Sequence, residues 1–117
     1  MKPAIDNYLP LAPATLHILL SLAGEKMYGY AIMQEVARQS EGRYKLGPGT
    51  LYDNLQRLMK QGLVEEAASG PEGDNSRRRY YRLSGLGRGV LTAEIGRLED
   101  VVSHARPHLK APQSRRI

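Results

Sequence analysis

The chain has 117 residues, 41% of them hydrophobic, which is enough for one folded domain with its own core. It has no cysteine, which excludes disulfides and thiolate metal sites, and its net charge of +5 favours a polyanionic partner such as nucleic acid. No apolar run approaches the roughly 18 residues of a membrane span, and Asp6 and the early prolines argue against a signal peptide. We therefore expect a cytoplasmic protein that does not bind membranes.

The first half of the chain carries two helical patterns. The first begins at Pro13, which suits an initial helical turn, and ends at Gly24. The second covers residues 28–42, with apolar positions at three- and four-residue steps and a glycine at its end. Residues 43–46 are too few for a helix and are expected to form one strand.

The sequence LGPGTLYDNLQRLMKQGLVEE, residues 46–66, predicts a third helix that ends at Gly62. Pro48 presets the backbone of a first helical turn, and Gly49 leaves room for a phosphate to approach backbone N–H groups. A simple tight turn is the alternative use of Gly-Pro-Gly, and a P-loop is excluded because no Gly-Lys-Ser/Thr follows. The apolar side of this helix consists of Leu51, Leu55, Leu58 and Met59.

Two short strands, residues 63–67 and 79–83, enclose a loop rich in Gly, Ser, Pro, Asp and Asn, and so predict a hairpin. Successive strand residues point to opposite faces, so one of Tyr80 and Tyr81 should be buried and the other exposed. Three consecutive arginines follow the loop, namely Arg77, Arg78 and Arg79. Each can present a two-pronged donor to phosphate oxygens.

A last helix is expected to begin after Ser84, a suitable N-cap, and to end at Pro107. Its apolar residues recur at steps of four and three, which is typical of a coiled-coil seam. The seam consists of Leu91, Ile95, Leu98, Val102 and Ala105. Packing against the first helix of the same chain could also bury this seam, but a homodimer is favoured because the seam is too long for that helix to cover.

The order of elements is that of a winged helix-turn-helix domain followed by a C-terminal dimerisation helix, a mainly α fold with a small β-hairpin. In such a domain the third helix enters the DNA major groove and the hairpin lies along the DNA backbone. The pattern predicts a DNA-binding domain with an N-terminal helix over residues 1–83, a dimerisation helix over 84–106 and a flexible basic tail over 107–117. A winged helix that binds an acidic protein is the alternative function.

Catalytic and metal-binding patterns are weak in this chain. It has no cysteine nucleophile, no Gly-x-Ser-x-Gly and no His-Glu-x-x-His, so no enzymatic activity is expected. His104 and His108 have the spacing of two ligands on a helix, but Pro107 interrupts that helix and a third ligand is missing. We expect neither a metal nor a cofactor, and we interpret His17 as a packing residue.

Three segments, LHILLSLAGEKMYGYAIMQEV, LGPGTLYDNLQRLMKQGLVEE and RRRYYRLSGLGRGVL, resemble in order and spacing the PadR family of bacterial transcriptional regulators. The resemblance covers residues 16–98, and its most specific parts are residues 49–52 and 79–83. It implies a homodimeric transcriptional repressor that binds double-stranded DNA, with contacts to the DNA from Thr50 and Tyr52. It also implies that the repressor responds to a small-molecule effector. The chain has no Trp or Phe, so Tyr8 is the one residue we propose for effector binding.

Asp53 departs from the family pattern, which often has proline at this position. A carboxylate on the DNA side is repelled by phosphates unless it accepts from a cytosine amino group or pairs with Arg57, one turn later. Asp53 is therefore left out of the expected contacts. The expected DNA-binding residues are Lys45, Gly49, Thr50, Tyr52, Asn54, Gln56, Arg57, Lys60, Arg77, Arg78 and Arg79.

Overall fold

The computed structural model describes residues 4–68 and 78–109. Within these ranges the chain is mainly α with a small antiparallel sheet, as the sequence predicts, and none of the helices is long and apolar enough to span a bilayer. A 3-10 helix (Ile5–Tyr8) is followed by α1 (Pro13–Ser21), β1 (Met27–Tyr28), α2 (Gly29–Gln39), α3 (Pro48–Lys60), β2 (Val64–Ala67), β3 (Tyr80–Leu83) and α4 (Gly85–Leu109).

The sheet has the strand order β1-β3-β2 in the described part of the chain. The prediction of a strand at residues 43–46 is wrong. The third strand of the sheet is β1, which lies just before α2 and pairs with the edge of β3 that β2 leaves open. Residues 43–46 connect α2 to α3 instead. The Ser40 hydroxyl accepts the N–H of Tyr44 at 3.0 Å and contacts its carbonyl oxygen at 3.1 Å, so a side chain bonds the backbone groups that a strand would use.

Both tyrosines of β3 are buried, so the prediction that one of them is exposed is wrong. Tyr81 belongs to the hydrophobic core. Tyr80, on the other face of the strand, is covered by the ring of Tyr28, whose centroid lies 5.5 Å away in an edge-to-face contact. The guanidinium of Arg78 lies 4.3 Å from the Tyr28 centroid and covers that ring in turn.

The core lies between the helices and one face of the sheet. The three leucines of α3 are completely buried in this core, and partly buried methionines, including Met59, pack against it. α3 ends as predicted, because Gly62 has a φ of +79°, a conformation that only glycine adopts readily. These contacts hold one side of α3 on the domain and leave the opposite side in solvent.

The start of α4 is fixed by a cap and by a close approach of two backbones. Ser84 is the N-cap as predicted, since its hydroxyl accepts the N–H of Gly87 at 2.9 Å and donates to the carbonyl of Gly62 at 2.5 Å. A Cβ added at Gly87 would lie 1.9 Å from the carbonyl oxygen of Leu63. Only glycine therefore allows α4 to leave the sheet at this distance.

The predicted end of α4 is wrong, because the helix continues through Pro107 to Leu109. Proline has a helical φ, and close to a helix C-terminus its missing N–H removes only one hydrogen bond of the last turn. The tail beyond Leu109 lies outside the described residues.

The apolar seam of α4 is divided between two environments. Leu91 is only 6% exposed and belongs to the core of its own chain, so it does not offer surface to a second copy, contrary to the prediction. Ile95 is partly buried against the same core. Further along, Val101 and Val102 are 52% and 46% exposed. The second half of α4 therefore projects from the domain with apolar side chains in solvent.

Candidate nucleic-acid interface

The solvent side of α3 carries most of the predicted DNA-binding residues. Because the leucines at positions 51, 55 and 58 face the core, the helical period turns the residues between them outward. The exposed residues are Gly49, Thr50, Tyr52, Gln56, Arg57 and Lys60, with Asn54 half-buried beside them. Lys45 is exposed in the connection that precedes α3.

The start of α3 is open to solvent. Gly47 is the N-cap, Pro48 occupies the first turn as predicted, and no side chain caps the helix. A Cβ added at Gly49 would meet nothing within 4 Å, so the packing of the described residues does not require glycine there. The backbone N–H groups of this first turn remain available to an anion.

The partners of Arg57 are Asn54 and Thr15 rather than Asp53, whose pairing with Arg57 was one of the two alternatives that the sequence left open. The Arg57 guanidinium donates to Oδ1 of Asn54 and, from Nη2 at 3.1 Å, to the hydroxyl of Thr15, a buried residue of α1. Asn54 donates in turn to the carbonyl of Thr50 at 2.8 Å. Thr15 belongs to α1, and Asp53 lies exposed. Arg57 therefore links α3 to α1.

The arginines of the hairpin have acidic and aromatic partners. Arg79 donates from Nε and Nη2 to the two carboxylate oxygens of Glu66, at 3.0 and 2.9 Å, and this bidentate contact lowers the pKa of Glu66. Arg82 lies 3.7 Å from Glu65, opposite it in the β2–β3 pairing. Arg77, which the sequence also assigned to DNA, lies outside the described residues. Sequence reasoning missed both glutamates, although alternating charge on two paired strands could have indicated them.

A notch lies between α3 and the β2–β3 hairpin. It has a volume of about 350 Å³ and is lined by Tyr28, Gly29, Tyr52, Arg78, Arg79 and Tyr81. A Cβ at Gly29 would lie 2.2 Å from the hydroxyl oxygen of Tyr52, so this glycine allows the phenol of α3 to lie against the first turn of α2. Tyr81 was assigned no binding role from sequence, since its position beside Tyr52 depends on how β3 packs against α3.

A second cavity, of about 320 Å³, lies between the N-terminal segment and α3. Tyr8 lines it, together with Thr15, Arg57 and Gln61. The residue suggested for an effector thus lies beside the arginine that links α3 to α1.

His17 and His104 make contacts within the domain. His17 packs as predicted, with its ring stacked on Tyr44 at a centroid distance of 4.8 Å. Nδ1 of His104 lies 2.8 Å from the carbonyl oxygen of Asp100, one helical turn earlier. Across residues 4–68 and 78–109, no three His, Asp or Glu side chains are grouped as metal ligands.

The fold is that of a winged helix-turn-helix protein. It combines a helical core, a three-stranded sheet that contains the hairpin β2–β3, and a third helix with one buried and one polar side. The chain belongs to the PadR-like family of transcriptional regulators, because the model of that family matches residues 18–93, more than half of its length.

Known proteins of this class resemble the chain in sequence and in fold. It is 36% identical over 90 residues to the transcriptional regulator Rv3488 of Mycobacterium tuberculosis, covering 77% of this chain and 79% of that protein. A PadR family transcription regulator from Clostridium difficile R20291 superposes with a TM-score of 0.66 at 25% identity, covering 84% of this chain and 99% of the other. Bacillus subtilis PadR, solved in complex with operator DNA, superposes with a TM-score of 0.61 at 19% identity. The match covers 74% of this chain and 48% of Bacillus subtilis PadR, and it shows a likeness of fold alone.

Proposed function

We propose that the chain is a sequence-specific DNA-binding repressor that acts in the cytoplasm and has no enzymatic activity. The observation that carries the proposal is the polar side of α3, exposed opposite a fully buried row of leucines and next to a hairpin with arginines. Such a helix can present donors and acceptors to base edges in the major groove. The complex of Bacillus subtilis PadR with operator DNA supports this use of the shared fold.

The active form in this proposal is a homodimer held together by the second half of α4. That half leaves Val101 and Val102 exposed, and a groove beside them is lined by Ile95, Leu98 and Val102. A second copy would cover this apolar surface, and a twofold axis would place two α3 helices about 34 Å apart, one turn of DNA. The preferred operator would then be a pseudo-palindrome.

A small molecule bound beside Tyr8 would act directly on the recognition helix. The cavity that contains Tyr8 also contains Arg57 and Thr15, whose hydrogen bond joins α3 to α1. A ligand that competes for the Arg57 guanidinium would loosen this link and change the orientation of α3. Relief of repression would follow from that change.

The proposal is tested by fluorescence anisotropy with the chain's own upstream DNA and with a scrambled duplex, at salt from about 50 to about 300 mM. We expect salt-dependent binding that prefers the native duplex by roughly a thousandfold. Gln56→Ala should relax the preference at one base position, whereas Lys60→Ala, near the helix end, should weaken all sequences alike. Absence of binding even at low salt would contradict the proposal and favour an acidic protein as the partner.

A further inference from the structure

Asp53 lies at the centre of the solvent side of α3. At about 100° per residue, its direction on the helix is roughly 190° from the mean direction of Leu51, Leu55 and Leu58, the leucines that α3 buries in the core. When the solvent side of a helix enters the major groove, the residue opposite the buried side reaches deepest towards the base pairs. The side chain that would lie deepest in the groove is therefore a carboxylate.

The carboxylate of Asp53 has no partner in the described part of its own chain. It is exposed and makes no hydrogen bond or ion pair with those residues. Arg57, the cation one turn later, donates to Asn54 and Thr15 instead. The sequence left two ways to accommodate a carboxylate on the DNA side, a pair with Arg57 or a hydrogen bond from a base. Because Arg57 has other partners, the hydrogen bond from a base is the way that the structure favours.

The surface of α3 next to Asp53 is open towards the start of the helix. Side chains of a helix lean towards its N-terminus, so the side chain of Asp53 leans over the turn that contains Gly49. Gly49 is exposed and has no side chain, and a Cβ added there would meet nothing within 4 Å. A base edge can therefore approach the carboxylate from this turn without meeting a side chain at position 49.

The chemistry of a carboxylate restricts which base Asp53 can contact. A carboxylate only accepts hydrogen bonds, and the donors that bases present in the major groove are the N4 amino group of cytosine and the N6 amino group of adenine. In adenine the amino group lies beside the N7 acceptor, which repels a carboxylate, whereas in cytosine it lies beside a C–H group. Guanine presents acceptors, and thymine presents an acceptor and a methyl group. Cytosine is therefore the base that suits Asp53 best.

We propose that Asp53 recognises a cytosine of the operator by accepting a hydrogen bond from its N4 amino group, and so determines specificity at one base pair of each half-site. This inference rests on the proposed function and extends it, because it adds a residue that the sequence alone left out of the expected contacts. Where that position carries guanine or thymine, the carboxylate meets acceptors and stays unpaired near the phosphates. The same side chain therefore weakens binding to non-specific DNA.

The test measures binding by fluorescence anisotropy for the wild type, Asp53→Asn and Asp53→Ala, on the upstream duplex, on a scrambled duplex and on upstream duplexes with each base pair changed in turn. Each cytosine is also replaced in turn by N4-methylcytosine, which still pairs with guanine but carries a methyl group in place of the amino hydrogen that faces the major groove. Asp6→Asn is the matched control, since it removes the same charge at an exposed residue of the 3-10 helix, which packs against α4. Thermal unfolding checks that each variant folds.

We expect the wild type to bind roughly tenfold to a hundredfold more weakly when the cytosine recognised by Asp53 is changed or N4-methylated. Asp53→Ala should lose this preference and should bind the scrambled duplex more tightly than Asp6→Asn does, because a charge has left the DNA side of α3. Asp53→Asn should prefer adenine at the same position, since an amide donates to N7 and accepts from N6. Asp6→Asn should keep every base preference of the wild type.

Three results would overturn the inference. If both variants of Asp53 keep every base preference of the wild type, while the wild type still prefers its upstream DNA, Asp53 is not a base contact and the proposed function stands. If both variants bind the native and scrambled duplexes more tightly by the same factor, and N4-methylation has no effect at any cytosine, Asp53 only repels phosphates. If the wild type binds neither duplex at low salt, the proposed function and the inference fail together.

Discussion

Glu94 joins α4 to the N-terminal segment, because its carboxylate accepts the backbone N–H of Leu11 at 3.1 Å although the two residues lie 83 positions apart. The carboxylate is 1% exposed and also accepts from Nε and Nη2 of Arg97, at 2.6 and 3.0 Å. A buried charge is tolerated when it is paired in this way. The helix proposed for dimerisation is thus tied to the segment that lines the Tyr8 cavity.

We expect Glu94→Gln to lower the free energy of unfolding by about 1–3 kcal/mol at neutral pH, since it weakens hydrogen bonds to a buried charge. The pKa of Glu94 is lowered, first by the hydrogen bond from Arg97, against desolvation, and further by the Leu11 N–H. Its stabilisation is therefore complete above the ordinary carboxyl pKa and is lost as pH falls through the lowered native value. Urea unfolding at several pH values, with Glu25→Gln at an exposed position as control, should show the deficit of Glu94→Gln shrinking in acid. A deficit that does not change with pH would contradict this account.

Gly87→Ala should destabilise the fold by about 1–3 kcal/mol, since the added Cβ would overlap the backbone carbonyl of Leu63 and force α4 away from the sheet. Gly96→Ala is the matched control in the same helix, because a Cβ there meets nothing within 4 Å. The control should raise stability by up to about 1 kcal/mol through helix propensity. Thermal unfolding measures the stability of both variants. If Gly87→Ala and Gly96→Ala change the stability equally, the close approach of the two backbones at Gly87 is unimportant.

The buried Thr15 should affect DNA recognition indirectly, through its hydrogen bond from Arg57. Thr15→Val removes the buried acceptor while keeping the side-chain shape, so α3 loses one link to α1. We expect roughly fivefold weaker binding to the native duplex and little change on a scrambled one. A double-mutant cycle with Arg57→Lys should give a coupling of about 0.5–3 kcal/mol in operator binding. Additive effects would mean that the two residues act separately.

Glu66→Gln should strengthen DNA binding. The substitution removes a carboxylate that occupies two donors of Arg79, so the guanidinium becomes available to phosphates. We expect tighter binding to all sequences and a slope of log K against log salt that steepens by up to about one unit. Glu65→Gln removes the same charge from the neighbouring residue, whose partner is Arg82 at 3.7 Å, and should change the slope less. Equal slopes for the two variants would count against a DNA role for Arg79.

The exposed half of α4 should control the oligomeric state. Val102→Asp places a charge in the groove formed with Ile95 and Leu98, and we expect it to convert dimers into folded monomers. His104→Glu adds charge at an exposed position that does not line this groove and should leave the dimer intact. Sedimentation equilibrium measures the oligomeric state of both variants. A wild type that is monomeric at every concentration would refute the dimer itself.

Local rules of the sequence determined the elements and the side of α3 that faces solvent. Pro48 and Gly62 set the limits of that helix through their backbone angles, and Ser84 begins α4 through a hydrogen bond only three residues long. The leucines of α3 then select its buried side by their spacing. Such signals act within a turn or two of the chain, so they can be interpreted without knowledge of the fold.

Only the tertiary structure decided which distant groups meet. β1 has two residues, too few for any periodic pattern, and exists because β3 offers it a free edge. Glu94 has the sequence context of an ordinary surface glutamate, yet the N-terminal segment buries it. Tyr81 reaches the notch beside Tyr52 only because a strand packs against a recognition helix some thirty positions earlier in the chain. These contacts depend on how whole elements pack, which no short stretch of sequence encodes.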